Sequence, residues 1–214
     1  MLQNKILKTL FIISIILLII TLNFKLLALN FNFYQKEFFK LNVYEKIPDA
    51  DKNALNLINY LNGKEQLNNF YNEKEKMHLK EVKTLLGKLS LIFYISFISF
   101  LLILVYFIYK KKYNLIFNSF FIASLSAIII ILISLLIFVN FDKFFIKFHE
   151  IFFSNDLWLL NPEKDNLINM FPLQFFYDIT RKIFVNIFIV SSILIIFAKL
   201  KISKKLLNKY NNAR

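Results

Sequence analysis

The sequence predicts an all-α membrane protein with four transmembrane helices and a small extracellular cap formed by the two outer loops. Hydrophobic residues make up 57% of the 214 residues, more than a soluble domain usually carries. About 20 apolar residues are needed to cross a hydrocarbon core of roughly 30 Å. Four windows lack Asp, Glu, Lys, Arg and His: residues 9–24 (9–29 if Lys25 reaches the lipid surface), 89–109, 113–141 and 183–198. Each window therefore predicts one membrane-spanning helix.

Charge separates the segments between these windows into two kinds. The amino terminus, the turn and the tail carry 11 cations and no acidic residue, whereas the two longer segments carry all 14 acidic residues. Short flanks rich in Lys and Arg stay in the cytoplasm, so both termini are predicted to be cytoplasmic. The predicted segments are the amino terminus with the first span (1–29), a cap segment (30–88), the second span (89–109), the turn (110–112), the third span (113–141), a cap segment (142–182), the fourth span (183–198) and a basic tail (199–214).

The first window also has features of a secretory signal peptide, because Lys5 and Lys8 precede an apolar stretch. That stretch is long and no small-residue cleavage site follows it closely, which favours a retained helix. The net charge of +13 then reflects topology and contact with anionic lipids rather than a nucleic-acid surface.

The first cap segment contains two predicted helices. Asp49 or Asp51 can cap a helix in which Leu55, Ile58 and Leu61 recur at helical spacing and which Gly63 ends. Residues 72–86 are mostly helix formers, and this helix is predicted to run into the second span, with His78 near the headgroup level. Residues 31–44 mix periods, so a strand and an interfacial helix both remain open there.

The second cap segment is rich in aromatic residues, which favour the membrane interface. Asn161 followed by Pro162 predicts the start of a helix, and Pro172 is expected to bend or break it. Asp178 is expected to pair with Arg181 or Lys182 near the outer end of the fourth span.

Several classes of function are disfavoured by what the windows lack. An intramembrane aspartyl protease or a proton-coupled transporter needs ionisable groups within the bilayer, and the windows contain none. The chain has no cysteine, which excludes a thiol nucleophile and a cysteine-ligated metal. Two glycines, Gly63 and Gly87, cannot form a Gly-rich phosphate loop. The sequence predicts no metal site and no cofactor.

Only two histidines occur, His78 and His149, each in a polar stretch just outside a charge-free window on the predicted outer side. Imidazole titrates near neutral pH, so either side chain can take or give a proton. The alternative is that each histidine only forms interfacial hydrogen bonds and that the nearby aromatic residues are membrane anchors. Composition leaves both interpretations open.

Two stretches resemble the signature of a bacterial family of four-span membrane proteins, the lipoprotein intramolecular transacylases. One runs from Phe148 to Trp158 and is followed by Asp165, Leu167, Ile168, Phe171 and Pro172. The other comprises Glu75, His78, Glu81, Val82 and Lys83, and the residues Tyr60-Leu61-Asn62-Gly63 also fit. The chain differs from the family pattern in having Glu81 where Asp is usual, and Ser154-Asn155-Asp156 where the pattern allows Pro or Gly.

The resemblance implies an acyltransferase. Such an enzyme moves the sn-2 acyl chain of a lipoprotein's diacylglyceryl-modified cysteine onto that cysteine's own amine, which gives the lyso form. It implies that His78 and His149 are catalytic, without saying which is the base. Glu81 would either orient His78 or pair with Lys74 or Lys83. The expected supporting residues are Glu81, Asn155, Asp156 and Trp158, and the expected substrate-pocket residues are Phe148, Phe152, Phe153 and Phe171.

The implied partners are a diacylglyceryl-modified bacterial lipoprotein and the lipids of the bacterial cytoplasmic membrane, with the site facing outward. Two other functions remain open. One is a non-catalytic protein that binds lipid or a partner through its cap. The other is a lipid ester hydrolase in which a histidine activates water.

Overall fold

The computed structural model of the chain describes residues 2–211, with side chains through residue 203, and its regular structure there is helical. The α-helices are α1 (Leu2–Ala28), α2 (Phe31–Lys40), α3 (Val43–Lys46), α4 (Ala50–Leu61), α5 (Glu73–Tyr109), α6 (Tyr113–Ser134), α7 (Phe141–Phe152), α8 (Asn166–Met170) and α9 (Leu173–Asn211). A 3₁₀ segment, Leu135–Asn140, joins α6 to α7. Part of the predicted basic tail lies outside the described side chains: Lys204, Lys205, Lys209 and Arg214.

Four helical segments are long and apolar enough to cross a membrane: Leu2–Ala28, Glu73–Tyr109, Tyr113–Phe152 and Leu173–Ser203. The four predicted transmembrane helices are therefore confirmed. The charge-free windows are parts of longer helices, because α5 and α9 each begin at least ten residues before their window. The predicted continuity of residues 72–86 with the second span is confirmed by α5.

The third predicted span is interrupted near its end. Regular α-helix stops at Ser134, and α7 begins at Phe141, where Asn140 accepts a hydrogen bond from the backbone N–H of Lys143 at 3.1 Å. A side-chain cap of this kind starts a new helix, since it satisfies a donor that the first turn leaves free. The sequence between residues 113 and 141 contains no charge that would reveal this break.

The chain divides into two compact units. The span unit contains residues 1–24, 90–135 and 183–214, and the inter-span unit contains residues 25–89 and 136–182. In the span unit the buried Phe11 stacks on Phe100 and meets Phe107 and Phe120 edge-on. Aromatic pairs in these geometries stabilise a core beyond the area they bury.

The inter-span unit has a hydrophobic core of its own. Phe38 lies at its centre with no exposed surface, and Tyr34 of the same helix donates its hydroxyl hydrogen to the carbonyl of Ala28. The two short helices α2 and α3 answer the question that residues 31–44 left open. The buried core residues are Tyr34, Phe38, Val43, Ile47, Ala50, Ala54, Leu57, Ile58, Tyr60, Tyr71, Leu79, Leu167, Met170, Phe171 and Phe175.

Helix α4 is confirmed and begins directly after Asp49, one of the two expected capping residues, but the expected capping bond is absent. Gly63 ends it with φ +76°, a conformation that glycine adopts without a Cβ clash. Asp49 occupies the N-cap position without a side-chain capping bond, and Asp51 instead accepts hydrogen bonds from Gln35 and Tyr44. Tertiary partners have therefore replaced the expected local cap.

The packing face of α4 is shifted from the predicted one. Leu55 is 45% exposed, whereas Ala54 and Leu57 are buried with Ile58. Small Ala54 lets the helix approach the core closely, and a pattern built on Leu and Ile alone overlooks it.

The helix predicted at Pro162 is wrong. Residues 162–164 form a turn, and α8 begins only at Asn166. The Asn161 side chain accepts the backbone N–H of Glu163, and Asp165 accepts the backbone N–H of Asn161. These side-chain bonds compete with the helix, as Asn and Asp commonly do. The break expected at Pro172 is confirmed between α8 and α9.

Asp178 also has a partner that the sequence did not indicate. Lys40, from α2, lies 2.6 Å from one carboxylate oxygen, and Arg181 lies 3.7 Å from the other. The expected pairing within one helix is thus the weaker of the two contacts.

Replacing Leu57 by Ala should lower the free energy of unfolding by about 2–5 kcal/mol, because a buried side chain leaves a cavity. The matched Leu55→Ala change, on the exposed face of the same helix, should cost less than about 0.5 kcal/mol. Unfolding of both variants in detergent micelles measures the difference. Equal losses would contradict the packing face described above.

Candidate active site

His78 lies in the second turn of α5, before the charge-free part of that helix. The helix starts with a reciprocal cap, in which the Asn72 side chain accepts the N–H of Glu75 and Glu75 accepts the N–H of Asn72. This cap fixes the register of the first turns. His78 is 6% exposed, so its ring is held inside the inter-span unit.

A carboxylate faces the His78 ring. Glu81, one turn later on α5, places Oε2 3.8 Å from His78 Nδ1, a distance too long for a hydrogen bond. Both atoms are buried and have no hydrogen-bond partner in the described part of the chain. The other carboxylate oxygen accepts a hydrogen bond from Asn155 at 2.6 Å. Asn155 therefore holds Glu81 beside His78.

The alternative partners of Glu81 are occupied elsewhere. Lys83 places its ammonium group 4.2 Å from the centre of the Tyr60 ring, and Lys74 donates a hydrogen bond to the carbonyl of Leu159. Neither lysine therefore pairs with Glu81, whose carboxylate faces His78 instead.

His149 lies in the last turn of α7 and is 8% exposed. Its Nδ1 is 2.7 Å from the carbonyl oxygen of Phe145, one turn earlier. A carbonyl only accepts hydrogen bonds, so Nδ1 carries the proton. In the neutral ring, Nε2 then has a free lone pair.

The two imidazoles come together although they are far apart in the sequence. Their ring centroids are 6.1 Å apart and the ring planes are inclined by 33°. Phe153 contacts both rings, with centroid distances of 5.0 Å to His78 and 5.5 Å to His149. Two side chains that can transfer protons thus lie close together.

Aromatic rings surround His149. Trp158 stacks on it at 4.9 Å and 28°, while Phe145 lies at 4.3 Å and Phe148 at 5.4 Å. Such a surrounding has few groups that hydrogen-bond water.

The structure brings most of the predicted site residues together, but not all. Phe152 contacts Phe148 and is 51% exposed, so it lies at the edge of the cluster. Phe171 packs against Tyr34 and Phe38 in the hydrophobic core rather than against the histidines. Asp156 is exposed, and only its backbone carbonyl forms a bond, with the N–H of Leu159. The residues that cluster are His78, Glu81, Phe148, His149, Phe153, Asn155 and Trp158.

Phe145 belongs to the site although the sequence did not single it out. It supplies both a ring contact and the carbonyl acceptor for His149. Its position one helical turn before His149 was the available signal. Within the described residues, no group of three or more His, Cys, Asp or Glu side chains could hold a metal ion.

Burial sets the protonation of the pair. Burial and, to a smaller extent, the nearby His149 ring lower the pKa of His78 to about 4, although the Glu81 carboxylate opposes both effects. Burial also lowers the pKa of His149, against the effect of the Phe145 hydrogen bond. Both rings are therefore neutral at pH 7, the form in which imidazole acts as a base.

A histidine NMR titration in lipid nanodiscs should show His78 titrating near pH 4, well below an unperturbed imidazole. Because the folded state then binds fewer protons than the unfolded state, stability should fall as the pH drops from about 6.5 towards about 4. The His78→Gln variant should lose less stability over this range. A His78 midpoint at or above 6.5 would contradict the buried, neutral ring.

Comparison with known proteins identifies the family. The sequence model of a family described as lipoprotein intramolecular transacylase Lit matches residues 9–176. A search of curated proteins found no match. A solved structure of the membrane integral lipoprotein intramolecular transacylase Lit from Bacillus cereus is similar, with 24% identity and a TM-score of 0.82, over 96% of this chain and 98% of that one.

Two further structures of the Bacillus cereus protein, with a histidine replaced by Arg or by Ala, are also similar. Each is 24% identical with a TM-score of 0.77, over 96% of this chain and 95% or 96% of theirs. At this identity the structures establish the four-span membrane fold, and the family match covers most of the chain. The chain therefore belongs to the lipoprotein intramolecular transacylase family and is a multi-pass membrane acyltransferase.

Proposed function

We propose that this enzyme moves the sn-2 acyl chain of a diacylglyceryl-modified lipoprotein to the amine of the same cysteine, with His78 and His149 as catalytic residues. The observation that carries the proposal is the pair of buried imidazoles with centroids 6.1 Å apart. The product is an N-acylated lipoprotein whose glyceryl group keeps one acyl chain.

The substrate supplies both reacting groups in this reaction. A C–N bond forms between the cysteine amine and the ester carbonyl, the C–O bond to the glyceryl group breaks, and one amine proton passes to the glyceryl oxygen. No nucleophile from the enzyme is needed, which suits a chain that has no cysteine. Holding the amine against the ester removes much of the entropic barrier, a contribution of up to about 7–11 kcal/mol in well-oriented systems.

His149 suits the role of general base. Its Nδ1 donates to the Phe145 carbonyl, so its neutral ring offers Nε2 to the amine proton. The fixed tautomer removes the need to reorganise the ring before proton transfer. The amine has an ordinary pKa near 8, close enough to that of imidazole for efficient transfer.

His78 suits the role of the group that returns a proton to the glyceryl oxygen. The Glu81 carboxylate, 3.8 Å from Nδ1, stabilises a positive charge on this ring, and Asn155 keeps the carboxylate in place. Two positive rings at 6.1 Å repel each other, so the pair holds at most one extra proton at a time. His78 gives its proton to the glyceryl oxygen and recovers one from His149, which took it from the amine, so both rings end neutral.

The aromatic rings around His149 have a role in product choice. Water competes with the amine for the same ester, and Trp158, Phe148 and Phe153 leave it few polar partners near the imidazole. The same histidines without this shield would suit a lipid ester hydrolase. The two reactions differ in their products, so one assay separates them.

We further propose that both termini are cytoplasmic and that the histidines face the outer side of the bacterial cytoplasmic membrane. The cations of the amino terminus, of the 110–112 turn and of the tail support this orientation. Membrane lipids and a lipoprotein substrate are the partners that the family membership supports.

The His78→Gln and His149→Gln variants should each lower formation of the N-acyl lyso product at least about 100-fold, because general acid–base catalysis contributes roughly 10²–10⁴-fold. Mass spectrometry of lipoprotein amino-terminal peptides measures the product. Met77→Gln and Glu150→Gln, at exposed neighbouring positions, are the matched controls and should keep wild-type activity.

Two outcomes would contradict the proposal, and a third would reveal misfolded variants. Full activity in either histidine variant would exclude that ring from catalysis. Release of free fatty acid without N-acyl product by the wild type would indicate the hydrolase. Loss of activity in both the histidine variants and the controls would indicate a general folding defect.

The Asn155→Ala variant should lower kcat by roughly tenfold or more while changing KM little, because a misplacement of about 1 Å in a catalytic group can cost 100-fold. It frees Glu81 from its hydrogen bond but removes no group that exchanges protons. Ser154→Ala, one residue earlier and exposed, is the control. An unchanged kcat would show that the bond to Glu81 does not matter for the reaction.

A further inference from the structure

Glu75 is a charged side chain with no exposed surface, one helical turn before His78. Its oxygens accept two backbone N–H groups from different parts of the chain: Oε2 bonds Asn72 at 2.7 Å, and Oε1 bonds Leu167. No Lys or Arg forms an ion pair with it among the described residues. A buried carboxylate is costly unless hydrogen bonds satisfy it, so these bonds tightly constrain its position.

A second carboxylate, that of Asp165, also joins the start of α5 to the start of α8. Asn72 donates from its side-chain amide to Asp165 at 2.7 Å, and Asp165 also accepts the backbone N–H of Asn161. Asn166 in turn donates to the carbonyl of Phe70 at 2.6 Å. The start of α5 and the start of α8 are therefore joined by several polar contacts that share two acids.

These contacts lie on both sides of His78 along α5. Glu75 fixes the turn before His78 to Leu167, and Glu81, in the turn after it, is bonded to Asn155. Residues 155–167 follow directly after α7, which carries His149. The position of one imidazole relative to the other therefore depends on this pairing.

A role in stability alone explains this arrangement poorly. A cap of α5 needs only one oxygen of Glu75, whereas the second oxygen is used to hold the segment that follows α7. Buried ionic groups contribute little net stability compared with apolar residues of similar size. A fully satisfied buried polar network instead favours one specific geometry.

We infer that Glu75 is a positioning residue for the acyl transfer, which sets the position of His78 relative to His149 by joining α5 to α8. The inference rests on the proposed function, in which these two imidazoles pass the proton. It predicts that Glu75 affects the chemical step rather than only the amount of folded protein.

The test is Glu75→Gln, which keeps the size of the side chain but can accept at only one oxygen. Glu73→Gln is the matched control, because Glu73 lies in the same turn and is 87% exposed. Steady-state rates with a synthetic diacylglyceryl lipopeptide, normalised to folded enzyme by size-exclusion chromatography, give kcat and KM from pH 4 to 8. We expect kcat to fall at least tenfold in Glu75→Gln, with KM within about twofold.

The pH profile supplies a readout that a purely structural role would not move. Activity should fall on the acid side as His78 becomes protonated, and its facing titratable groups are Glu81 on α5 and His149 on α7. If Glu75→Gln lets the ring shift towards water, the acid limb should move up towards pH 6.5. Asp165→Asn leaves the α5 cap intact and should move the acid limb in the same direction, but by less. This variant replaces Glu75→Gln in the test if Glu75→Gln does not fold.

A Glu75→Gln enzyme with the rate and acid limb of Glu73→Gln would overturn the inference. The inference would also be overturned if the rate fell only in proportion to the amount of folded enzyme while the acid limb of the pH profile stayed in place. Failure of the proposed function looks different, because then the wild type gives no N-acyl product or His78→Gln remains active.

Discussion

The site depends on keeping two imidazoles side by side in a dry environment. At a centroid distance of 6.1 Å, burial and mutual repulsion both favour the neutral rings. This constraint makes the pair a proton acceptor at neutral pH and limits it to one added proton. The backbone carbonyl of Phe145 fixes the proton of His149 on Nδ1, and the carboxylate of Glu81 faces Nδ1 of His78 at 3.8 Å. Every proposed catalytic role follows from these conditions.

Such a pair requires a rigid support, and the inter-span unit provides one. In its core Phe38 packs against Phe171, and Met170 is fully buried in the same cluster. Leu79, next to His78 in the sequence, is part of the same core, so the helix that carries the histidine is anchored by apolar packing. Apolar packing alone does not fix the position of His78 relative to His149. The polar contacts of Glu75 and Glu81 then set that position. Packing supplies the stability of the unit, and the acids supply its specificity.

The sequence predicts the membrane-spanning helices well because lipid imposes a strong and local requirement. A charge in the bilayer is costly, so windows without charge locate spans directly. The histidines were also identifiable, since only two occur and imidazole is the side chain whose ordinary pKa lies near 7. Their surroundings were less predictable. Phe171 and Phe148 are alike in sequence, yet one packs in the core and the other beside His149.

The wrong prediction at Pro162 and the unpredicted partner of Asp178 share a physical cause. Local rules rank interactions within one helix or turn, whereas the observed bonds of Asp165 with Asn72 and of Asp178 with Lys40 join distant segments. A short polar side chain bonds to whichever partner lies close to it in the folded chain. The spacing of residues in the sequence does not indicate that partner. Asn155 shows the same limit, because its motif position suggested a supporting role without naming Glu81 as its partner.

The proposed reaction uses no nucleophile from the enzyme, which places a strict demand on the substrate. Two histidines can move protons, but they accelerate acyl transfer only if the amine is already held against the ester. A molecule that carries both groups on one residue meets this demand, whereas a free amine and a separate lipid do not. Water is the one competitor that needs no tethering, and it is abundant. The aromatic rings around His149 are therefore as necessary to the proposed reaction as the imidazoles, because they decide between amide formation and hydrolysis.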